Sequence, residues 1–144
     1  MAGVYVSDFS NHARLSRHVR GRDVVLRGVS ALEYMGLFVG YVNAGAVEVY
    51  AKDDLVDDIF DSRVVVDFNQ IDYFQDGNVK CSTLSQVVND MLGEFETMDD
   101  VALAESLAYY YEKQGSLESL NIAPQYHSHF EEMKDWAREY YYGG

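Results

Sequence analysis

Carboxylates are the side chains through which this chain is best placed to act. Asp53, Asp54, Asp57, Asp58 and Asp61 recur at nearly helical spacing around Leu55, Val56, Ile59 and Phe60. Clustered in this way they imitate the charge of a phosphate backbone and suit a basic groove on another protein. The spacing predicts an acidic helical turn or loop over 52–59, with a solvated surface as its plainer alternative. A calcium loop is disfavoured, because the oxygen-ligand spacing and central glycine of an EF-hand are missing.

Other residue types capable of chemistry fall short of a site. His127-Ser128-His129 with Glu131 and Glu132 holds ligand-type side chains, yet it lacks the i, i+4 histidine pair of a helical zinc site and reads as an exposed helix start. His12 and His18 sit among arginines and read as solvated. Gly36, Gly40 and Gly45 do not match a phosphate-binding loop, and no serine lies in G-x-S-x-G. Cys81 lies in the alternating segment Asn78-Val79-Lys80-Cys81 and reads as a buried structural thiol. These readings predict no catalytic residue, no metal, no cofactor and no enzyme.

Tyrosine is in excess, with 12 in the chain and clusters at Tyr109, Tyr110, Tyr111 and at Tyr140, Tyr141, Tyr142. Neighbours on a helix point about 100° apart, so three in a row cannot all face one core. Tyr109, Tyr110, Tyr141 and Tyr142 are therefore candidate partner contacts as well as candidate core residues.

Charge sorts the possible partners. Residues 1–30 carry five arginines against two aspartates, a balance of +3, whereas residues 31–144 carry six cations and 22 carboxylates, a balance of -16. The positive segment either folds back on the negative body or meets a separate anionic surface. Direct nucleic-acid binding through Arg14, Arg17, Arg20 and Arg22 is disfavoured, since the acidic body repels nucleic acid and no recognition helix follows. No apolar run is long enough to span a bilayer and no signal peptide is apparent, so a cytoplasmic, membrane-free protein is expected.

The elements that must position these residues are predicted by periodicity. The chain is 144 residues long and 48% apolar, with one proline, which suits a single domain: a basic segment over 1–23 and a body over 24–144. A helix is expected over Ser7 to Val19, with Ser7 or Asp8 as its cap and Phe9, Ala13 and Leu15 on its apolar side. From Val24 the chain runs extended into Gly28. Ser30 can then cap a short helix carrying Leu32, Met35 and Leu37 on one side, and Gly36 ends it.

Strands are expected over Gly45 to Ala51, Arg63 to Phe68, Gln70 to Phe74 and Val79 to Cys81, the last after the turn Gln75-Asp76-Gly77-Asn78. A helix capped by Ser82 or Thr83 stops at Gly93. A second begins near Asp99 or Asp100 and closes at Gly115, followed by a helical turn over Ser116 to Leu120. Beyond Pro124 a last helix runs from Tyr126 to Tyr142, with Phe130, Met133, Ala137, Tyr140 and Tyr141 facing inward. The fold class is α+β, a small antiparallel sheet in the middle of the chain with a C-terminal helical bundle packed behind it.

In order and spacing these pieces resemble the central and C-terminal part of the AbiEi-type (type IV) toxin-antitoxin antitoxins. The matching residues are Arg27-Gly28-Val29-Ser30-Ala31-Leu32 with Gly36-Leu37, Val47-Glu48-Val49-Tyr50, Cys81-Ser82-Thr83-Leu84-Ser85-Gln86 into Asn89-Asp90-Met91-Leu92, Leu103 to Tyr111, and Trp136-Ala137-Arg138-Glu139-Tyr140. The resemblance implies an antitoxin that neutralises a nucleotidyltransferase-like toxin. It also implies a preceding winged helix-turn-helix, but only 23 residues stand before Val24 here. Two protein-binding functions follow as expectations. One is an acidic, non-enzymatic, antitoxin-like inhibitor of a toxin enzyme. The other is a phage or mobile-element inhibitor of the anti-CRISPR type, whose acidic face mimics nucleic acid and blocks the basic channel of a host complex.

Overall fold

Val24-Val25-Leu26 leaves no polar side chain for either face, and it forms a fully buried strand, β1 (Val24–Leu26). A computed structural model describes residues 2–39, 46–55, 57 and 59–141, with side chains between 11 and 139 of these. The chain turns from β1 into helix α2 (Gly28–Tyr34). Gly36 ends α2 as expected: at φ 74 it places its own N–H on Glu33 O at 3.1 Å and that of Leu37 on Leu32 O at 3.0 Å, a Schellman closure. Ser30 is not the cap. It lies inside α2, and its hydroxyl oxygen accepts the Glu48 N–H at 2.9 Å.

Helix α1 (Ala2–Val19) starts before the expected cap at Ser7 or Asp8, and buries Leu15 and Val19; the side chain of Phe9 lies outside the described residues. β2 (Val47–Ala51) pairs antiparallel with β1, setting Val25 opposite Tyr50 and Leu26 opposite Val49. β4 (Tyr73–Asp76) and β5 (Val79–Ser82) form the expected hairpin about Gly77, at φ 59.

The sheet is nevertheless mixed, not antiparallel throughout. β5 lies parallel to β1, and β3 (Phe60–Val64) lies parallel to β2, giving the order β3-β2-β1-β5-β4. Parallel neighbours are joined without a local turn signal, so periodicity could not reveal them.

That parallel pairing also overturns the helical reading of the acidic segment. The connection from Lys52 to Ile59 must return about 13 Å along β2 and step sideways by one strand. A helix over the same residues would rise about 12 Å and leave nothing to turn at its ends. Residues 52–55 accordingly run as bend and loop, and Asp61 belongs to β3. Val56 and Asp58 lie outside the described residues.

The strand expected over Arg63 to Phe68 ends at Val64, and the one over Gln70 to Phe74 begins only at Tyr73. Between them the chain folds across the sheet, where Phe68 packs with Val25 and Tyr50 in a small second core. The Asp67 carboxylate takes the Asn69 N–H at 2.9 Å, turning the chain there.

The main core covers the other face. Helix α3 (Leu84–Leu92) is capped by Thr83, and α4 (Asp100–Gln114) by Asp99, whose side chains accept from Gln86 and Ala102 N–H respectively. α3 gives way at Gly93 and α4 at Gly115, as expected. Residues 117–119 turn without forming a helix, and Pro124 opens a single 3-10 turn. Helix α5 (His127–Tyr141) then packs on α4 through Phe130, Met133 and Ala137. The fold is thus α+β, its helices gathered on one sheet face. No described helix is long and apolar enough to cross a membrane.

Leu107 is fully buried in this main core. Leu107→Ala is expected to cost about 2–5 kcal/mol, read as a lowered urea midpoint with an unchanged slope.

Candidate functional site

The corner where β1 becomes α2 gathers most of the buried charge. Gly28 adopts φ 55, and a Cβ built there would collide with Glu48 Oε1, so a glycine at this position lets the carboxylate seat close against the backbone. Glu48 is held by main chain and side chain together. Its carbonyl accepts the Arg27 N–H at 3.0 Å, and its own N–H reaches Ser30 Oγ. Its Oε2 accepts the Val29 N–H at 3.2 Å, and Arg27 Nη1 lies 3.5 Å from Oε1. The carboxylate thereby serves one of the orphan N–H groups at the start of α2, a task that Arg27 at the cap position does not perform with its side chain.

Charge is layered around this corner. Arg14 of α1 lies 3.6 Å from Glu33, a residue of α2 only 4% exposed. The Arg27 guanidinium sits 5.1 Å from the centroid of the Tyr50 ring, and Tyr50 Oη donates to Asp90 at 2.5 Å. Burial pushes the Glu48 carboxyl above its ordinary value, against the pull of Arg27 and the Val29 N–H, with Asp61 and Asp99 adding repulsion. A cavity of about 380 Å³ opens here, bounded by Glu48, Asp61, Glu94 and Asp99 among carboxylates and by Met91 and Met98 on its apolar side.

The predicted docking residues are distributed differently from their spacing in sequence. Asp53, Asp54, Asp57 and Asp61 are all exposed. Asp54 accepts from Ser62 Oγ at 3.2 Å, and Asp57 takes the Ile59 N–H at 3.1 Å while lying 3.5 Å from Arg22. Among the described members of the group, Asp61 alone reaches the corner cavity. Tyr109 and Tyr110 are half-buried, with Tyr110 Oη 2.7 Å from Ser119 Oγ, and Tyr111 is 42% exposed. The side chain of Tyr141, and Tyr142 entirely, lie outside the described residues.

Cys81 is fully buried on β5 and burial pushes its thiol up, consistent with a structural thiol. His12 is not solvated: it stacks on Tyr34 with centroids 4.1 Å apart, and its Nδ1 is 3.0 Å from Tyr34 O. His127 starts α5 in the open, whereas His129 stacks on Phe95. Among the described residues no three His, Cys, Asp or Glu side chains are placed to hold a metal ion. The basic N-terminal segment folds back on the body through Arg14 and Arg22.

Sequence reasoning singled out Arg27, Gly28 and Ser30 as fold residues and missed Glu48, Glu33 and Asp99 as their companions. The available signal was a carboxylate inside each of two apolar elements, Glu48 in Val47-Glu48-Val49 and Glu33 in Ala31-Leu32-Glu33-Tyr34. Comparison of the chain with protein-family models, curated proteins and solved structures gives no match.

Two outcomes test this corner. Gly28→Ala must hold an L-residue at positive φ and displace the Glu48 carboxylate, so a loss of at least about 1–2 kcal/mol is expected in chemical denaturation. Glu48 has a folded-state proton affinity above that of the unfolded chain, so its ionisation opposes folding as pH rises from the ordinary carboxylate range through its higher folded value. Relative to Glu48→Gln, the wild type should therefore gain stability as pH is lowered from neutral to below that range. Paired urea midpoints at the two pH values measure this, and a constant gap contradicts it.

Proposed function

We propose that the chain is an acidic, non-enzymatic inhibitor of the antitoxin type, which binds a partner enzyme such as a nucleotidyltransferase-type toxin and covers its basic surface. The observation that carries the reading is the exposure of Asp53, Asp54 and Asp57 on the β2–β3 connection, beside the outer edge of the sheet. Val64 at the end of β3 and Val66 just beyond it are 53% and 93% exposed, and add apolar area to this part of the surface. A polar rim beside a small apolar patch is how non-obligate protein interfaces are composed.

Charge distribution supports the same partner. Arg14 and Arg27 are engaged by Glu33 and Glu48, and Arg22 stands beside Asp57. Three of the five arginines in the first 30 residues thus meet the protein's own carboxylates, and the large excess of acidity in the body suits a basic surface. Such complementarity acts mainly on association rate and partner choice and weakens with salt.

The test is a variant with Asp53, Asp54 and Asp57 all replaced by asparagine, which preserves the acceptor that Asp57 offers to Ile59. Calorimetric titration against a nucleotidyltransferase-type toxin should give an affinity lower by roughly tenfold or more at low salt. The difference should shrink at moderate salt, with the unfolding midpoint little changed. Equal affinities for variant and wild type would overturn the reading.

A further inference from the structure

β3 ends the sheet, and among the described residues no strand lies beyond it. Its pairing with β2 decides which backbone groups face outward. Ile59 O accepts the Val47 N–H at 2.6 Å, and the Val65 N–H donates to Ala51 O at 2.8 Å. The odd-numbered residues therefore face β2, while Phe60, Ser62 and Val64 turn their main-chain groups to the open side. The Phe60 N–H is taken by Asp57 O at 3.1 Å. The N–H groups of Ser62 and Val64 and the carbonyls of Phe60, Ser62 and Val64 form a row able to template another strand.

The charges on β3 choose that strand. Asp61 and Arg63 are both exposed and, two residues apart, lie on one face. In an antiparallel pairing of two β3 strands about Ser62, Asp61 stands opposite Arg63 of the second copy, and Arg63 opposite its Asp61. Phe60 then meets the exposed Val64. Asp61 and Arg63 fall in the pairs without hydrogen bonds, where facing side chains come closest. Sliding the register by two residues sets Asp61 against Asp61 or Arg63 against Arg63, and a parallel alignment in register also puts like beside like. The charges that guard this edge against other strands thus admit one partner. Arg63 is held by Glu94 at 2.5 Å through Nη2, which uses part of a guanidinium with five N–H donors.

β4, the outer strand on the other side, lacks this match. A copy docked there antiparallel about Phe74, which is 37% exposed, would set Asp72 against Asp76 twice. We infer that β3 is a self-association edge, which pairs with β3 of a second copy of this chain about a two-fold axis and joins the two sheets into one. Such an interface is isologous, each strand supplying both halves of the pairing. Its ladder has two bonds between the Ser62 residues and one at each end from the Val64 N–H to the Phe60 carbonyl. So short a ladder belongs with small, transient interfaces.

Sedimentation equilibrium of the full chain tests this at about 0.15 M salt, where the repulsion between two chains of net charge -13 is screened beyond about 8 Å. Monomer and dimer should exchange with a dissociation constant of roughly 10–100 µM. Asp61→Arg alone and Arg63→Asp alone each set like charges opposite one another in both pairs, and should weaken association roughly tenfold or more. The two substitutions together restore opposite charges and should recover association to within about threefold of the wild type. Val64→Pro removes an outward N–H that β2 does not use. It should weaken association while leaving the urea midpoint near that of the wild type. The inference is overturned by a chain that stays monomeric up to about 1 mM, by association indifferent to Val64→Pro or to the single charge reversals, or by a double variant that folds like the wild type yet associates no better than the single ones. No toxin enters the measurement, so its outcome is independent of the test of Asp53, Asp54 and Asp57.

Discussion

The seating of the Glu48 carboxylate against the backbone at Gly28 is the constraint on which the rest of the structure depends. β1 has three residues, too few to fix a register by ladder bonds alone. Glu48 extends that register past the end of the strand through the Arg27 N–H and the Ser30 hydroxyl, and its side chain caps the helix that follows. Strand pairing, the turn and the start of α2 thus share one residue. Because α2 lies against β2, α3 and α4, the direction it takes from this corner sets where the main core closes. A side chain at Gly28 would compete with the carboxylate for this place and would have to hold a positive φ, so glycine suits the corner on both counts.

Burying carboxylates here makes the basic N-terminal segment necessary. An unpaired Glu33 inside the fold would be costly, and removing one partner of a buried pair is far worse than never forming it. Arg14, from α1, meets that demand, and Arg27 does the same for Glu48. The positive and negative parts of the sequence are therefore complementary parts of one fold. The segment most suggestive of nucleic-acid binding in sequence carries arginines that the body itself engages.

Elements with a local code were legible and elements defined by distant partners were not. Thr83, Asp99, Gly36 and Gly115 mark helix ends through contacts within a few residues, and the structure places the ends there. The hairpin about Gly77 carries its code in the turn itself. The pairing of β1 with β5 and of β2 with β3 carries none, so the sheet was expected to be antiparallel. Ser30 illustrates the same limit: a serine near a helix start suggests a cap, but its hydroxyl is taken by β2. Phe68 looked like the end of a strand because its aromatic ring favours one. It instead closes the second sheet face, with Lys52 Nζ 4.9 Å from the ring centroid. The candidate cavity was illegible for this reason, since its carboxylates come from α2, β2, β3, the turn after α3 and the start of α4.

The loss of helical geometry at the acidic segment bears on what its charges do. An outer strand such as β3 needs charge to discourage edge-to-edge pairing, and Asp61 and Arg63 supply it on the strand itself. Asp54 and Asp57 also have local duties, accepting from Ser62 and from the Ile59 N–H. A neutral asparagine or serine oxygen performs either duty equally well, as such residues do in turns elsewhere. Edge protection, loop geometry and the pairing of Asp57 with Arg22 therefore account for much of the connection, but not for the charge at Asp53 and Asp54. The negative charge itself is what remains to be explained. The basic partner of the proposed function, meeting the connection beside the exposed Val64 and Val66, would give that charge a role.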